Sequence, residues 1–193
     1  MNICVYGASS NVISPAYIEA GEALGRAMAK RGHSLVFGGG ASGMMGAAAR
    51  GMTEGGGKIV GVAPRFFDVD GILYQQCTEF VFTDTMRERK SIMEEKADAF
   101  IMTPGGIGTF EEFYEILTLR QLGRHNKPIA ILNVGDYYRP LIDMQERAIK
   151  QKFMKPECES LCGWFDDPEA LLDYLETSVT ATARAEDMKY LGT

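Results

Sequence analysis

The glycine-rich segment TPGGIGTFEE at residues 103–112 holds the residue types of this chain that are best suited to chemistry. An apolar run at residues 99–102 precedes it, and a pattern typical of a helix follows from about Phe110. Glycines let a backbone approach a ligand closely and expose its amide N–H groups. The unpaired N–H groups and the positive dipole end of the following helix would point at the same place. The segment therefore predicts an anion site, and phosphate is the most common occupant of such sites.

Three carboxylates load the first turns of that predicted helix. Glu112 and Glu115 are three residues apart and are expected on one face, with Thr118 three residues further along, whereas Glu111 is expected to point elsewhere. Such side chains also stabilise the helix dipole by roughly 0.3–1 kcal/mol without any ligand. A carboxylate beside a phosphate site could instead act as a base on a phosphorylated small molecule. The spacing leaves both explanations open.

A second segment, MRERK at residues 86–90, begins another predicted helix and contains three cations. A charge run is usually a solvated face. Arg89, however, shares a helical face with the apolar Met86 and Met93. A guanidinium held against an apolar stripe requires an anionic partner. The spacing alone does not decide whether Arg89 is functional.

Apolar strand-like runs alternate with helix-length segments along the chain. The predicted strands are residues 3–6, 34–37, 58–62, 78–82, 99–102 and 128–132. The predicted helices are residues 15–30, 43–53, 85–96, 110–122, 137–151 and 168–176. Asp84 is the predicted N-cap of the third helix, residues 64–76 are predicted as a loop, and residues 178–193 as a tail with a frayed or surface helix.

This alternation predicts an α/β fold, a Rossmann-like doubly wound parallel sheet with helices on both faces. The 193 residues suffice for one domain, residues 1–193, and no linker divides them. Three glycine-bearing turns follow predicted strands: residues 7–10, 38–40 and 105–108. Because ligands bind beyond the carboxyl ends of such strands, we expect these turns to crowd one edge of the sheet.

The segment GGGASG at residues 38–43 matches G-x-G-x-x-G after a strand and before a helix. The next strand, IVGVA at residues 59–63, does not end in the acid that binds a dinucleotide ribose, which argues against NAD. Tight packing of helix on strand, or a nucleotide lying over these glycines, remain as explanations. The P-loop pattern G-x-x-x-x-G-K-[ST] does not occur.

Composition narrows the classes of partner. The net charge of −6 and a pI near 5.0 disfavour a nucleic-acid partner. No apolar run approaches the roughly 20 residues that span a bilayer, and the N-terminus reads as a buried strand rather than a signal peptide. Cys158 and Cys162 form C-x3-C without a nearby histidine, which favours reduced thiols over a metal site. A cytoplasmic protein without membrane contact is expected.

These motifs resemble a known family. Residues 104–112, PGGIGTFEE, resemble the P-G-G-x-G-T-x-x-E signature of the Lonely Guy family, and residues 86–90 resemble its second signature, an R-K pair after a methionine. The resemblance extends over roughly residues 2–155. The members are cytokinin riboside 5′-monophosphate phosphoribohydrolases, long described as possible lysine decarboxylases.

The resemblance implies a homodimer that hydrolyses the N-glycosidic bond of adenosine-type 5′-monophosphates without a metal or redox cofactor. It places the catalytic arginine on Arg89 and the catalytic glutamate on Glu112. The positions expected to contact substrate or its phosphate are Lys90, Gly105, Gly106, Ile107, Gly108, Thr109 and Thr118, with Ser9, Gly39 and Gly40 from the other turns. Departures from the family pattern, such as Arg87 where histidine is common, leave the preferred base open.

Two other functions compete with hydrolysis. A nucleotide or molybdenum-cofactor carrier of the same fold would share the glycine-rich site, but Arg89 and Glu112 at the hydrolase spacing favour an enzyme. A lysine decarboxylase would hold pyridoxal phosphate on a lysine, and no lysine lies in a recognisable motif for that cofactor.

Overall fold

A computed structural model describes residues 1–178 and 185–190 of the chain, and these residues contain seven strands. The strands are β1 (Asn2–Tyr6), β2 (Ser34–Phe37), β3 (Lys58–Pro64), β4 (Glu79–Thr83), β5 (Ala99–Met102), β6 (Ile129–Leu132) and β7 (Gly163–Phe165). They form one sheet in the order β4-β3-β2-β1-β5-β6-β7, and every pairing is parallel. The predicted α/β doubly wound fold is confirmed.

Helices cover both faces of the sheet. They are α1 (Pro15–Lys30), α2 (Gly43–Glu54), α3 (Met86–Lys96), α4 (Ile107–Gln121), α5 (Arg139–Lys150), α6 (Pro168–Thr177) and the short α7 (Ala185–Met188). Buried apolar residues of α1, α2 and α6, such as Leu24, Met52 and Leu171, fill the core on one face. Met93 of α3 and Phe113 of α4 belong to the core on the other face.

The order of the strands fixes where a ligand can bind. The chain leaves β1 outward through β2, β3 and β4, then returns to the other side of β1 as β5. In the register, Val5 pairs with Phe37 and Tyr6 with Met102, so β1, β2 and β5 end at one edge. The turns that follow these strands are the three glycine-bearing turns. The gap between β1 and β5 is the topological switch point, where ligands bind in open α/β sheets.

Several elements differ from their predicted bounds. Strand β7 was not predicted, because three residues are too few to show a period. Helix α4 begins at Ile107, three residues earlier than predicted, so its first turn lies within the glycine segment. The predicted Asp84 cap of α3 was wrong: Thr85 is the N-cap, its Oγ1 accepts the Glu88 N–H at 3.1 Å, and the Glu88 carboxylate accepts the Asp84 N–H at 3.0 Å. The pair is a variant of the capping box, because Glu88 reaches the N–H of the residue before the N-cap rather than that of the N-cap itself.

The segment predicted as a loop, residues 64–76, is tied to the glycine triplet. Its first residue ends β3, and Arg65–Phe67 form a 3₁₀ turn. Further along, the Ala41 N–H donates to Ile72 O at 2.9 Å and the Tyr74 N–H donates to Gly39 O at 2.8 Å. The segment therefore forms a wall above residues 38–41. In the predicted tail, α7 is described, whereas residues 179–184 and 191–193 lie outside the described part of the chain.

None of the helices described here combines the length and the apolar character needed to cross a membrane.

Candidate active site

A cavity of about 650 Å³ opens at the switch point. Its size lies within the range of roughly 300–1,000 Å³ that is typical of small-molecule sites. All three glycine-bearing turns contribute to its lining, which confirms that they meet at one edge. The predicted site residues that line it are Ser9, Gly40, Arg89, Gly106, Ile107, Gly108, Thr109 and Glu112.

The N-terminus of α4 forms one end of this cavity. Gly106 is the N-cap, and among the described residues no side chain caps the helix or takes up the N–H groups of its first turn. A Cβ added at Gly106 or Gly108 would meet no atom of the described part of the chain within 4 Å. The φ of −102° at Gly106 suits any residue. Neither backbone strain nor protein contact requires glycine at these two positions. Glycine is a favoured N-cap residue at position 106, and at both positions it leaves the backbone open to close approach by a ligand.

Arg89 and Glu112 form a buried ion pair at the same cavity. Arg89 Nη1 donates to Glu112 Oε1 at 2.6 Å, and Arg89 Nε donates to Val62 O at 3.2 Å. The side chains are only 6% and 11% exposed. Glu112 Oε2 accepts no hydrogen bond from residues 1–178 or 185–190, so it remains available to a ligand or water in the cavity. Glu112 is therefore the anionic partner that the sequence predicted for Arg89.

Burial and Arg89 act in opposite directions on the pKa of the Glu112 carboxyl group. Desolvation raises the pKa of Glu112 above its ordinary value of 4.5, and the charge and hydrogen bond of Arg89 oppose that shift without cancelling it. A carboxyl group with a raised pKa, one oxygen held and the other open, can stabilise a developing positive charge and accept a proton from water. Loss of either partner would leave a buried charge unpaired.

Gly38 makes room for the arginine, a role that sequence reasoning missed. A Cβ on Gly38 would lie 2.0 Å from Arg89 Nη2. From the sequence, the glycine triplet at residues 38–40 was explained by a bound nucleotide or by tight packing of helix on strand. No signal in the sequence connects residue 38 with residue 89. The neighbouring Gly39 is explained differently, because its φ is +77° and its Cβ would lie 2.7 Å from Phe80.

Four of the predicted substrate contacts do not line the cavity: Lys90, Gly105, Thr118 and Gly39. The Lys90 ammonium pairs with Glu111 at 2.5 Å and with Glu115 at 2.8 Å. The expectation that Glu111 points away from Glu115 was therefore wrong, since side chains four apart on a helix share a face.

Gly105 and Thr118 show why these positions differ from the cavity lining. Thr118 is exposed on α4, three residues beyond Glu115. A Cβ at Gly105 would lie 2.1 Å from Thr109 Oγ1, so this glycine provides clearance inside the turn. Contact of all four residues with a nucleotide remains a prediction.

Sequence reasoning also missed Tyr137 and Tyr138, which precede α5. Their hydroxyls donate to Gly105 O at 2.8 Å and to Thr103 O at 2.7 Å. Both bonds hold the turn that leads into α4. Within residues 1–178 and 185–190, no group of three or more His, Cys, Asp or Glu side chains is arranged to bind a metal ion.

The fold and the cavity define a Rossmann-like protein with a candidate site for a phosphorylated ligand. A family model described as "Possible lysine decarboxylase" matches residues 45–175. A cytokinin riboside 5′-monophosphate phosphoribohydrolase of Rhodococcoides fascians is 42% identical over 145 residues, which cover 75% of this chain and 73% of the relative. The Arabidopsis thaliana enzyme of the same name, LOG7, is 39% identical over 174 residues, covering 90% and 80%. The chain belongs to this family, the Lonely Guy family indicated by its sequence motifs.

Solved structures with lower identity share the fold. The molybdenum cofactor binding protein of Rippkaea orientalis superposes with a TM-score of 0.68 at 19% identity, covering 93% of this chain and 96% of that one. The molybdenum cofactor carrier protein of Chlamydomonas reinhardtii gives 0.68 at 19% identity, covering 92% and 98%. At this identity the likeness concerns the fold alone.

Proposed function

We propose that the protein hydrolyses the N-glycosidic bond of adenosine-type nucleoside 5′-monophosphates, of which cytokinin riboside monophosphates are the family's named substrates. The observation that carries the proposal is the buried Arg89–Glu112 pair, which opens into the same cavity as the uncapped N-terminus of α4. An anion site and a carboxylate beside it are the two parts that this reaction requires.

The cavity supports one orientation of the substrate. The 5′-phosphate binds to the amides at the start of α4 and to Thr109. Glu112 is five residues further along the helix, about 7.5 Å at 1.5 Å per residue, a distance that a ribose 5-phosphate can span. The base then faces the remaining wall, where Phe67, Ile72 and Met86 supply apolar surface.

The chemistry follows from this placement. Breaking the bond between C1′ and N9 leaves the electron pair on the base and builds positive charge on the sugar, as in glycoside hydrolysis. The Glu112 carboxylate stabilises that charge and accepts one proton from the water that attacks C1′. This proton is then returned to the departing base, and the products are free base and ribose 5-phosphate. Holding the phosphate at the helix end restricts the ribose to the reactive position.

Arg89 has a supporting role in this scheme. Its guanidinium orients Oε1 of Glu112, and its charge and hydrogen bond partly offset the desolvation that raises the pKa of this carboxyl group.

The test is hydrolysis of AMP and of N6-isopentenyl-AMP, followed by chromatography of the released base. Glu112→Gln and Arg89→Ala should each lower kcat/KM at least about 100-fold, the size of effect typical of a general base. Glu111→Gln is the matched control, because this neighbouring carboxylate pairs with Lys90 off the cavity, and it should stay within about two-fold of wild type. A folded wild-type protein that leaves both nucleotides intact would refute the proposal, and tight binding without turnover would indicate a carrier.

We also propose that the protein is a cytoplasmic homodimer. Helix α5 has no buried residue, and Met144 at 60% and the nearby Phe153 at 80% leave apolar surface exposed for a second copy. The four cysteines are free thiols, as expected in a reducing compartment. Sedimentation equilibrium tests the dimer: Met144→Glu should shift the protein toward monomer, and a wild type that is monomeric at high concentration would contradict it.

A further inference from the structure

Two adjacent tyrosines hold the turn between β5 and α4 from outside the cavity. Tyr138 is 2% exposed, and its hydroxyl donates to Thr103 O at 2.7 Å. Tyr137 is 38% exposed, and its hydroxyl donates to Gly105 O at 2.8 Å. Neither ring lines the cavity. The two hydroxyls therefore bind the backbone of the turn on either side of Pro104.

The other two carbonyls of the turn are occupied as well. Pro104 O accepts the N–H of Ala8 at 3.1 Å, and Gly106 O accepts the N–H of Phe110 at 3.0 Å. Each carbonyl oxygen from residue 103 to residue 106 thus accepts a hydrogen bond from within the protein. This arrangement leaves the N–H groups, rather than the carbonyls, to face an anion.

Of the peptide groups in this turn, the one between Gly105 and Gly106 is the most free to rotate. A peptide between two glycines can rotate at little steric cost, because neither residue has a Cβ. The C=O and N–H of one planar trans peptide point in opposite directions. A flip of this peptide would turn Gly105 O toward the cavity and the Gly106 N–H away from it. An anion at the start of α4 would then meet an oxygen instead of a donor.

We propose that Tyr137 is a positioning residue that holds the Gly105–Gly106 peptide with its N–H directed at the bound phosphate. The proposal rests on the proposed function in so far as the anion is the 5′-phosphate of a nucleotide. Tyr137 touches the carbonyl of the turn, so it acts on the phosphate through the backbone. Its hydroxyl determines how well the turn recognises a phosphate, and Glu112 performs the chemistry.

The ring of Tyr137 is supported independently of its hydroxyl. It packs edge-to-face on Tyr17 at 5.8 Å and on Tyr138 at 4.8 Å between ring centroids. Tyr137→Phe keeps these ring contacts and removes only the donor to Gly105. Tyr114→Phe is the matched control, because Tyr114 is also 38% exposed and lies on α4 but does not line the cavity.

The test measures phosphate recognition separately from turnover. Loss of one hydrogen bond that orients the turn should weaken binding of AMP and of inorganic phosphate by about 3- to 10-fold each in calorimetry. KM for AMP should rise by the same factor while kcat stays within about two-fold. In ¹⁵N-labelled protein, the Gly106 amide signal should move with added phosphate in wild type and move less in Tyr137→Phe. The Tyr114→Phe variant should match wild type in every measurement.

The outcomes separate this inference from the hydrolase proposal. Unchanged affinity of Tyr137→Phe for both ligands would overturn the role of Tyr137, as would a fall in kcat at constant KM. A wild-type protein that binds AMP and phosphate without hydrolysing AMP, and loses affinity in Tyr137→Phe, would end the hydrolase proposal and support the tyrosine. A wild-type protein that binds neither ligand would overturn both.

Discussion

The substitution Gly38→Ala tests whether the glycine triplet serves the arginine. An added Cβ would lie 2.0 Å from Arg89 Nη2, and ordinary contact begins near 3.4 Å. The guanidinium must therefore retreat by about 1.4 Å, the difference between these two distances. Gly38 does not have a positive φ, so alanine brings no backbone strain of its own. The collision with Arg89 is the main consequence of the change.

The size of the effect follows from what holds the guanidinium. The clash is with Nη2 of the same guanidinium whose Nη1 binds Glu112 at 2.6 Å, so we expect the shift to stretch that bond beyond hydrogen-bond length. The pair is too buried for water to replace it fully. Removing one partner of a buried pair costs about 3–5 kcal/mol, and displacing it should cost somewhat less, about 2–4 kcal/mol of unfolding free energy. Misplacement of a catalytic group by about 1 Å lowers the rate roughly 100-fold, which is the loss of kcat/KM we expect.

The assay is a double-mutant cycle on stability. Urea unfolding is measured for wild type, Gly38→Ala, Arg89→Ala and the double variant. In the Arg89→Ala background the obstructing atoms are gone, so Gly38→Ala should be neutral or should stabilise by about 0.4–1 kcal/mol. The coupling free energy should then be at least about 2 kcal/mol. Gly108→Ala serves as the stability control, since the added Cβ would lie more than 4 Å from every atom of residues 1–178 and 185–190 that could obstruct it.

An additive cycle would refute this explanation. If Gly38→Ala lowers stability equally with and without Arg89, the added Cβ disturbs some other neighbour, such as Met45, whose Sδ would lie 3.4 Å from it. Because the readout is unfolding free energy, the test does not depend on any substrate.

Two further predictions concern the Arg89–Glu112 ion pair and helix α3, which carries Arg89. The pKa of the Glu112 carboxyl group, followed by ¹³C NMR, should lie above 4.5. Arg89→Met should raise this pKa further, because the charge and the hydrogen bond that oppose desolvation are lost. A lower pKa in the variant would contradict this explanation. Since the folded-state pKa is raised, the contribution of Glu112 to stability is greatest below its unfolded pKa and is lost as the pH rises through the folded value. Thr85→Ala should lower the unfolding free energy by about 1 kcal/mol through loss of the α3 cap, whereas Thr85→Ser should be nearly neutral; equal melting of all three proteins would show that the cap contributes nothing.

Local patterns in the sequence were sufficient for six of the seven described strands and for the glycine-bearing turn before α4. Apolar runs such as residues 34–37 and 99–102 predicted β2 and β5 with their observed bounds. Parallel strands are buried on both faces, so their sequences are continuously apolar and their ends are easy to recognise. The turn at residues 105–108 was predicted for the same local reason, since glycines before a helix indicate its place. The capping of α3 was assigned one residue early, because Asp84 and Thr85 are both favourable caps and only the hydrogen bonds separate them.

Contacts between distant segments could not be predicted in this way. The hydroxyls of Tyr137 and Tyr138 reach a turn some 32 to 35 residues earlier, and tyrosines before a helix have many other uses. The clearance at Gly38 depends on a side chain 51 positions later, and a sequence gives no measure of that distance. The Lonely Guy resemblance supplied Arg89 and Glu112 together, whereas spacing within α3 left the arginine undecided.

The strand order explains why these particular residues meet. Arg89 follows β4 at the edge of the sheet, yet α3 crosses back over β3, where Val62 O holds its Nε. Glu112 follows β5 on the other side of β1, and α4 runs back over that half of the sheet. Helices α3 and α4 approach each other above β1. Arg89 from one half of the sheet therefore pairs with Glu112 from the other half, at the switch point. A cavity at this place is general to doubly wound sheets, but the buried pair at its base is supplied by α3 and α4. The proposed chemistry thus depends on two side chains that neither half of the sheet could bring together alone.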